Sequence, residues 1–169
     1  TGYATENFSS WGQFPLVYFI ILMFIGGCAG STTCGIKIFR VQILYQFISN
    51  QLKKIIYPRG IFKIKYQNNN VDEKFMDSII SFIFLYILIF FVVTALLSLD
   101  GLNFITAISA AATSISNVGP GLGDIIGPNG SFSSLSNFSK WVLSGAMILG
   151  RLELFAILVL FIPSFWRKY

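Results

Sequence analysis

Histidine is absent from this 169-residue chain, which excludes histidine-based catalytic triads and histidine-ligated metal centres. Charge is scarce as well: charged residues make up 11% of the chain, with 12 Lys and Arg against 7 Asp and Glu. Cysteine occurs only at Cys28 and Cys34, inside a run of small residues and without the spacing of a metal site. The two read as small packing residues rather than a disulfide. An intramembrane enzyme would need a nucleophile with its base, or a metal cluster, and the sequence displays neither. The chain begins at Thr1 without a methionine and shows no signal-type n-region, h-region and cleavage site. It is expected to be an excerpt of a longer protein.

What remains is apolar. Hydrophobic residues account for 54% of the chain and aromatics for 17%, with a mean hydropathy of +0.71. These values belong to a membrane protein, not to a soluble domain. Residues 78–99 carry no charge and match the length a helix needs to cross about 30 Å of hydrocarbon. The net charge of +5 does not point to nucleic acid, because the cations lie between and after apolar spans. The positive-inside rule accounts for them.

Along the chain, residues 14–25 form an apolar run too short to cross alone. It breaks at Gly26-Gly27-Cys28-Ala29-Gly30-Ser31-Thr32-Thr33-Cys34-Gly35 and resumes over residues 36–48, as one transmembrane helix interrupted near mid-membrane. Residues 51–74 are rich in Lys and Arg and are expected to be cytoplasmic, with alternation over 61–66 suggesting a small hairpin or extended loop. Asp72 and Glu73 suit the start of the next helix through its macrodipole, and Asp100-Gly101 suits its end. Residues 102–115 are helical but rise only about 21 Å, so they enter a membrane without crossing it. Residues 124–137 form an external loop, and residues 138–166 descend as a final helix to the basic end Arg167-Lys168. Trp11, Trp141 and Trp166 read as interfacial aromatics.

The polar, glycine-rich run Ser116-Asn117-Val118-Gly119-Pro120-Gly121-Leu122-Gly123 follows the half-membrane helix. Irregular backbone at that depth is tolerated only where it lines a protein-enclosed or wet cavity. A cation filter needs backbone that can aim carbonyls at one axis, and glycine permits the required conformations. A nucleotide-phosphate reading of the glycines fails on spacing and on the lack of a βαβ unit. Gly26 and Gly30 stand at the spacing of a helix-packing motif, but that leaves Ser31-Thr32-Thr33 unexplained. A broken helix lying across a pore explains both. Arg151 and Glu153 fall halfway down the last helix, where a charge is normally directed to a partner or a wet cavity. Positions two apart on a helix do not face each other, so the carbonyls and hydroxyls of residues 26–35 are the expected partners of Arg151.

Four motifs together, Thr1-Gly2-Tyr3-Ala4, Gly26-Gly27-Cys28-Ala29-Gly30-Ser31-Thr32, Asn117-Val118-Gly119-Pro120-Gly121-Leu122-Gly123 and Gly150-Arg151-Leu152-Glu153, make the chain resemble the Trk/Ktr/HKT superfamily of potassium transporters, in particular the bacterial Trk/Ktr membrane subunit. Thr33 and Cys34 depart from the family's usual glycines. The resemblance implies an all-α membrane protein built of potassium-channel-like repeats: outer helix, re-entrant pore helix with a filter loop, inner helix. On that pattern residues 1–50 are the end of a third repeat, 51–74 a cytoplasmic basic loop and 75–169 a fourth repeat. It implies potassium uptake across the bacterial inner membrane, with K⁺ the transported ion and no cofactor in this chain. The filter carbonyls would be those of Thr1, Gly2, Tyr3, Ser116, Asn117, Val118 and Gly119, with K⁺ at Thr1, Gly2, Asn117, Val118 and Gly119. The gate would comprise Gly26, Gly27, Gly30, Ser31, Thr32, Thr33, Gly35 and Arg151. A homodimer and a cytoplasmic nucleotide-binding regulatory subunit are the implied partners. A non-conducting structural subunit and a K⁺/Na⁺ cotransporter are the alternative readings.

Overall fold

The computed structural model describes residues 3–66, 69–152 and 154–166, with the side chains at positions 9, 154, 156, 158 and 164 excepted. The chain is predominantly helical. Helices α1 (Gln13–Phe24) and α2 (Ile38–Ile56) flank an irregular segment, and α3 (Glu73–Leu99), α4 (Phe104–Ser116) and α5 (Asn137–Arg151) follow. The short α6 (Leu154–Leu160) and α7 (Pro163–Trp166) close the described chain.

Helix α3 is the one described helix long and apolar enough to cross a membrane. It starts at Glu73 with Asp72 as its N-cap residue, and their carboxylates favour a helix N-terminus. It ends at Asp100, where Gly101 takes φ +87° and turns the chain. Phe82, Tyr86, Val93 and Leu97 recur at helical spacing and are buried, whereas Phe84, Phe91 and Leu99 on the other side are exposed apolar groups.

That buried stripe packs on α4, a helix rich in small residues. Ala107, Ala110, Ala111 and Ala112 have no exposed surface, and helices bearing such residues approach closely enough for dispersion and hydrogen bonds to hold them where lipid offers no hydrophobic contrast. Leu143 and Ala146 of α5 complete this core. Helix α1 covers the far end of α4, where Met23, Ala112 and Leu122 meet Phe19 and Ile20. A separate cluster of Ile43, Met76 and Ile79 joins α2 to the start of α3.

Three sequence expectations shift. Helix α2 continues to Ile56, beyond residue 48, because its last turn carries Lys53 and Lys54, favourable at the negative end of the dipole. It stops ahead of Pro58, whose ring disfavours helical backbone at Tyr57. The hairpin is confined to the end of the alternating run and the asparagines after it: strands β1 (Lys65–Tyr66) and β2 (Asn69–Asn70) pair antiparallel, while Ile64, Tyr66 and Val71 pack on the Ile43 cluster. The last helix is not continuous. Gly150, a weak helix former, precedes the end of α5, and Pro163 cannot extend α6 because it lacks an N–H and clashes with the preceding turn. Arg167 and Lys168 lie outside the described residues.

Candidate functional site

The turn after α4 is built by that helix's own hydroxyls. Asn117 adopts the left-handed conformation (φ 52°, ψ 43°) at the helix end, a position asparagine tolerates better than most side chains. Its N–H and that of Val118 still bond back, to Ser114 O at 3.2 Å and Thr113 O at 3.0 Å. Gly119 then takes φ +122°, which a side chain would oppose. Its N–H donates to Thr113 Oγ1 at 2.9 Å. One helical turn earlier, Ser109 Oγ accepts from Leu122 N at 3.0 Å and donates to Leu122 O at 3.2 Å. Residues 109 and 113 share a face of α4, so two hydroxyls staple the irregular segment along the helix. Ser116 is buried while Asn117 and Gly119 are exposed, and the buried Ser116 Oγ pairs with Tyr86 Oη of α3 at 2.7 Å. Ser114 Oγ is buried and has no hydrogen-bond partner among the described residues. Of the first candidate filter segment, Thr1 and Gly2 lie outside the described residues, and Tyr3 is almost fully exposed.

The segment between α1 and α2 leaves and returns side by side. Ile25 and Ile36 form a parallel bridge, with Gly26 N donating to Ile36 O and Ile36 N to Phe24 O, both at 2.9 Å. A Cβ on Gly26 would stand 2.6 Å from Cys34 O, so the crossing of the two strands of backbone requires glycine there. Between them residues 28–34 form an irregular loop. Ser31 Oγ and Thr33 Oγ1 pair at 2.7 Å, and Ser31 N donates to Cys28 O at 3.1 Å. Cys34 is buried, as a packing residue should be, but Cys28 is exposed, and both are free thiols. Gly27, Gly30, Thr32 and Gly35 complete the segment, with Gly30 and Gly35 at positive φ.

Arg151 meets this loop. Its guanidinium Nη1 donates to Thr32 O at 2.6 Å and approaches Cys34 Sγ at 3.9 Å. Glu153 lies outside the described residues. A cavity of about 220 Å³ opens here, lined by the loop, by Lys37 and Arg40 of the following segment, by Phe82 and Tyr86 of α3, and by Arg151. The Arg40 guanidinium sits 3.8 Å over the Phe82 ring, an attraction between cation and ring quadrupole. The structure thus brings residues 31–35 and Arg151 together, and places 116–119 one helix end away on α4. Sequence reasoning missed Tyr86, Ser109 and Thr113. The signal was present, since hydroxyls recur at 106, 109, 113 and 116, the i, i+3, i+4 spacing of one helical face.

The chain is similar to known proteins over nearly its whole length. The model of the TrkH family, described as cation transport protein, matches residues 1–168. The chain belongs to the TrkH cation transport protein family. It is 44% identical over 168 residues to the Trk system potassium uptake protein TrkI of Halomonas elongata, and 35% identical over 167 residues to TrkH of Escherichia coli K12. Each alignment covers 99% of this chain and 34% of the relative. A crystal structure of the potassium transporter TrkH from Vibrio parahaemolyticus matches at a TM-score of 0.88 and 36% identity, covering 98% of this chain and 35% of that one. The chain therefore spans about a third of the length of the relatives it matches. Both relatives are potassium uptake proteins by name.

Proposed function

We propose that this chain forms part of a potassium uptake protein of the bacterial inner membrane, with the carbonyls of residues 1–3 and 116–119 contributing a cation filter. Potassium enters through that filter, and residues 26–35 with Arg151 gate it from below. The observation that carries the reading is the turn at Asn117 and Gly119: two successive features, a left-handed asparagine and a glycine at φ +122°, follow a 13-residue helix of about 20 Å and are exposed rather than packed. Exposed backbone carbonyls at membrane depth suit replacement of an ion's hydration shell. In this reading α3 is the outer helix, α4 the re-entrant pore helix and α5 the inner helix, with α1 the inner helix of a preceding repeat, so that the protein is multi-pass.

The loop supports the gate. It lies across from Arg151, and a cation held there repels K⁺ while its hydrogen bond to Thr32 O restrains the loop. The basic segment 51–74 faces the cytoplasm in this reading, and the cavity of about 940 Å³ between α2, residues 60–64 and the start of α3 offers a surface to a nucleotide-binding regulatory subunit. A homodimer in the lipid bilayer completes the assembly.

The decisive test is Gly119→Ser in the complete polypeptide. The serine Cβ opposes φ +122° and turns carbonyls from the ion. Expression should persist while the ratio of K⁺ to Na⁺ flux falls, by about tenfold for each 1.4 kcal/mol of lost discrimination. Unchanged discrimination would remove Gly119 from the filter.

A further inference from the structure

The last turn of α5 touches both parts of the proposed path. Met147 O accepts a hydrogen bond from Asn117 Nδ2 at 3.1 Å. Gly150 leaves no room for a Cβ, which would overlap the Ile115 carbonyl. The next residue, Arg151, holds Thr32 O. Positions 147 to 151 span only about 6 Å of helix rise, and the bond from Leu152 N to Ile148 O at 3.1 Å closes the turn. A helical turn of this kind moves as a unit, so a shift imposed on Arg151 by the loop is passed to the anchor of Asn117.

Asparagine is chemically specific in this place. Its backbone needs left-handed φ, which glycine and aspartate also accept, but its side chain must donate to a carbonyl. Glycine supplies the first property and not the second. Aspartate carries acceptor oxygens only and would be repelled by Met147 O.

We propose that the Asn117 side chain is a specificity-determining positioning residue, coupling the loop to the filter through the last turn of α5, so that release of the Arg151 contact loosens ion discrimination. The inference rests on reading 116–119 as filter and 26–35 as gate. Its signature is crossed effects: a change at the loop alters selectivity, and a change at the filter's anchor alters gating.

The test measures basal K⁺ flux and the K⁺ to Na⁺ flux ratio, in liposomes holding the complete polypeptide. Arg151→Gln, remote from the filter turn, should lower the ratio by about two- to tenfold, and Asn117→Gly should raise basal flux by a similar factor. The double variant should lower the ratio no further than the stronger single change, because one linkage is lost twice. Leu143→Ala, which loosens the same core without touching either contact, should leave the ratio unchanged. If Asn117→Gly fails to fold, Asn117→Asp takes its place. A ratio unaltered by Arg151→Gln while Gly119→Ser lowers it would overturn the coupling and leave the filter reading standing. A ratio unaltered by Gly119→Ser as well would sink the filter reading itself. A drop reproduced by Leu143→Ala would reduce Asn117 to ordinary packing.

Discussion

At Asp100 one carboxylate joins two helix ends. It closes α3 and accepts hydrogen bonds from Ser136 Oγ and, at 2.6 Å, from Ser139 Oγ, while Ser136 Oγ accepts from Ser139 N at 3.0 Å as the cap of α5. The hydroxyl of Ser136, and then that of Ser139, hold the Asp100 carboxyl below its ordinary pKa. A depressed carboxylate stabilises the fold above its unfolded value of about 3.9, and that contribution disappears as pH falls through the folded value. Asp100→Asn should therefore lower the melting temperature in detergent at neutral pH, with the gap to wild type narrowing below about pH 4. Equal melting at neutral pH would show that the two serines, not the charge, join the helices. The same scale explains Gly119 and Asn117, where backbone geometry selects the residue before any ion is considered.

Among the elements, the loop at 25–37 and the last turn of α5 meet at the hydrogen bond from Arg151 to Thr32 O. The break between α1 and α2 was legible because glycines at 26, 27, 30 and 35 with three hydroxyl residues cannot sustain a helix. The weak point at the end of α5 was legible in Gly150, and the carbonyls of residues 26–35 were the expected partners of Arg151, but that the carbonyl is the one of Thr32 was decided by the tertiary structure. Arg151→Ala should raise basal K⁺ flux, and so should a deletion within residues 30–35, since each removes one side of the same hydrogen bond. Combined, they should give less than the sum of their free-energy effects. Additive effects, or lost flux in folded Arg151→Ala, would assign the arginine to packing or to another partner. Helix α4 shows the complementary case: its alanines are buried against its neighbours, and the stapling of residues 119 and 122 by Thr113 and Ser109 became visible only once the turn folded back along the helix.

For the molecule as a whole, the proposed orientation rests on where the cations lie. Lys53 and Lys54 at the end of α2 and Arg59, Lys63 and Lys65 in the connection to α3 gather together, and the orientation proposed above puts them on the cytoplasmic side. In intact cells, Lys63→Cys should resist an impermeant thiol reagent in a background without Cys28 and Cys34. Efficient labelling would reverse the topology. Composition alone determined the apolar class and the span at α3, because transfer of side chains into hydrocarbon depends on residue type summed over about 20 positions, and the glycine clusters alone determined where helix must fail. Tertiary structure decided which hydroxyl meets which amide, that Tyr86 reaches Ser116, and that Met147, Gly150 and Arg151 grip the turn and the loop from one helix. The hydrogen bonds of Tyr86, Met147 and Arg151 join positions 30 to 119 residues apart in the chain, and no local preference encodes them: they exist only where close-packed helices bring the partners to within hydrogen-bond distance.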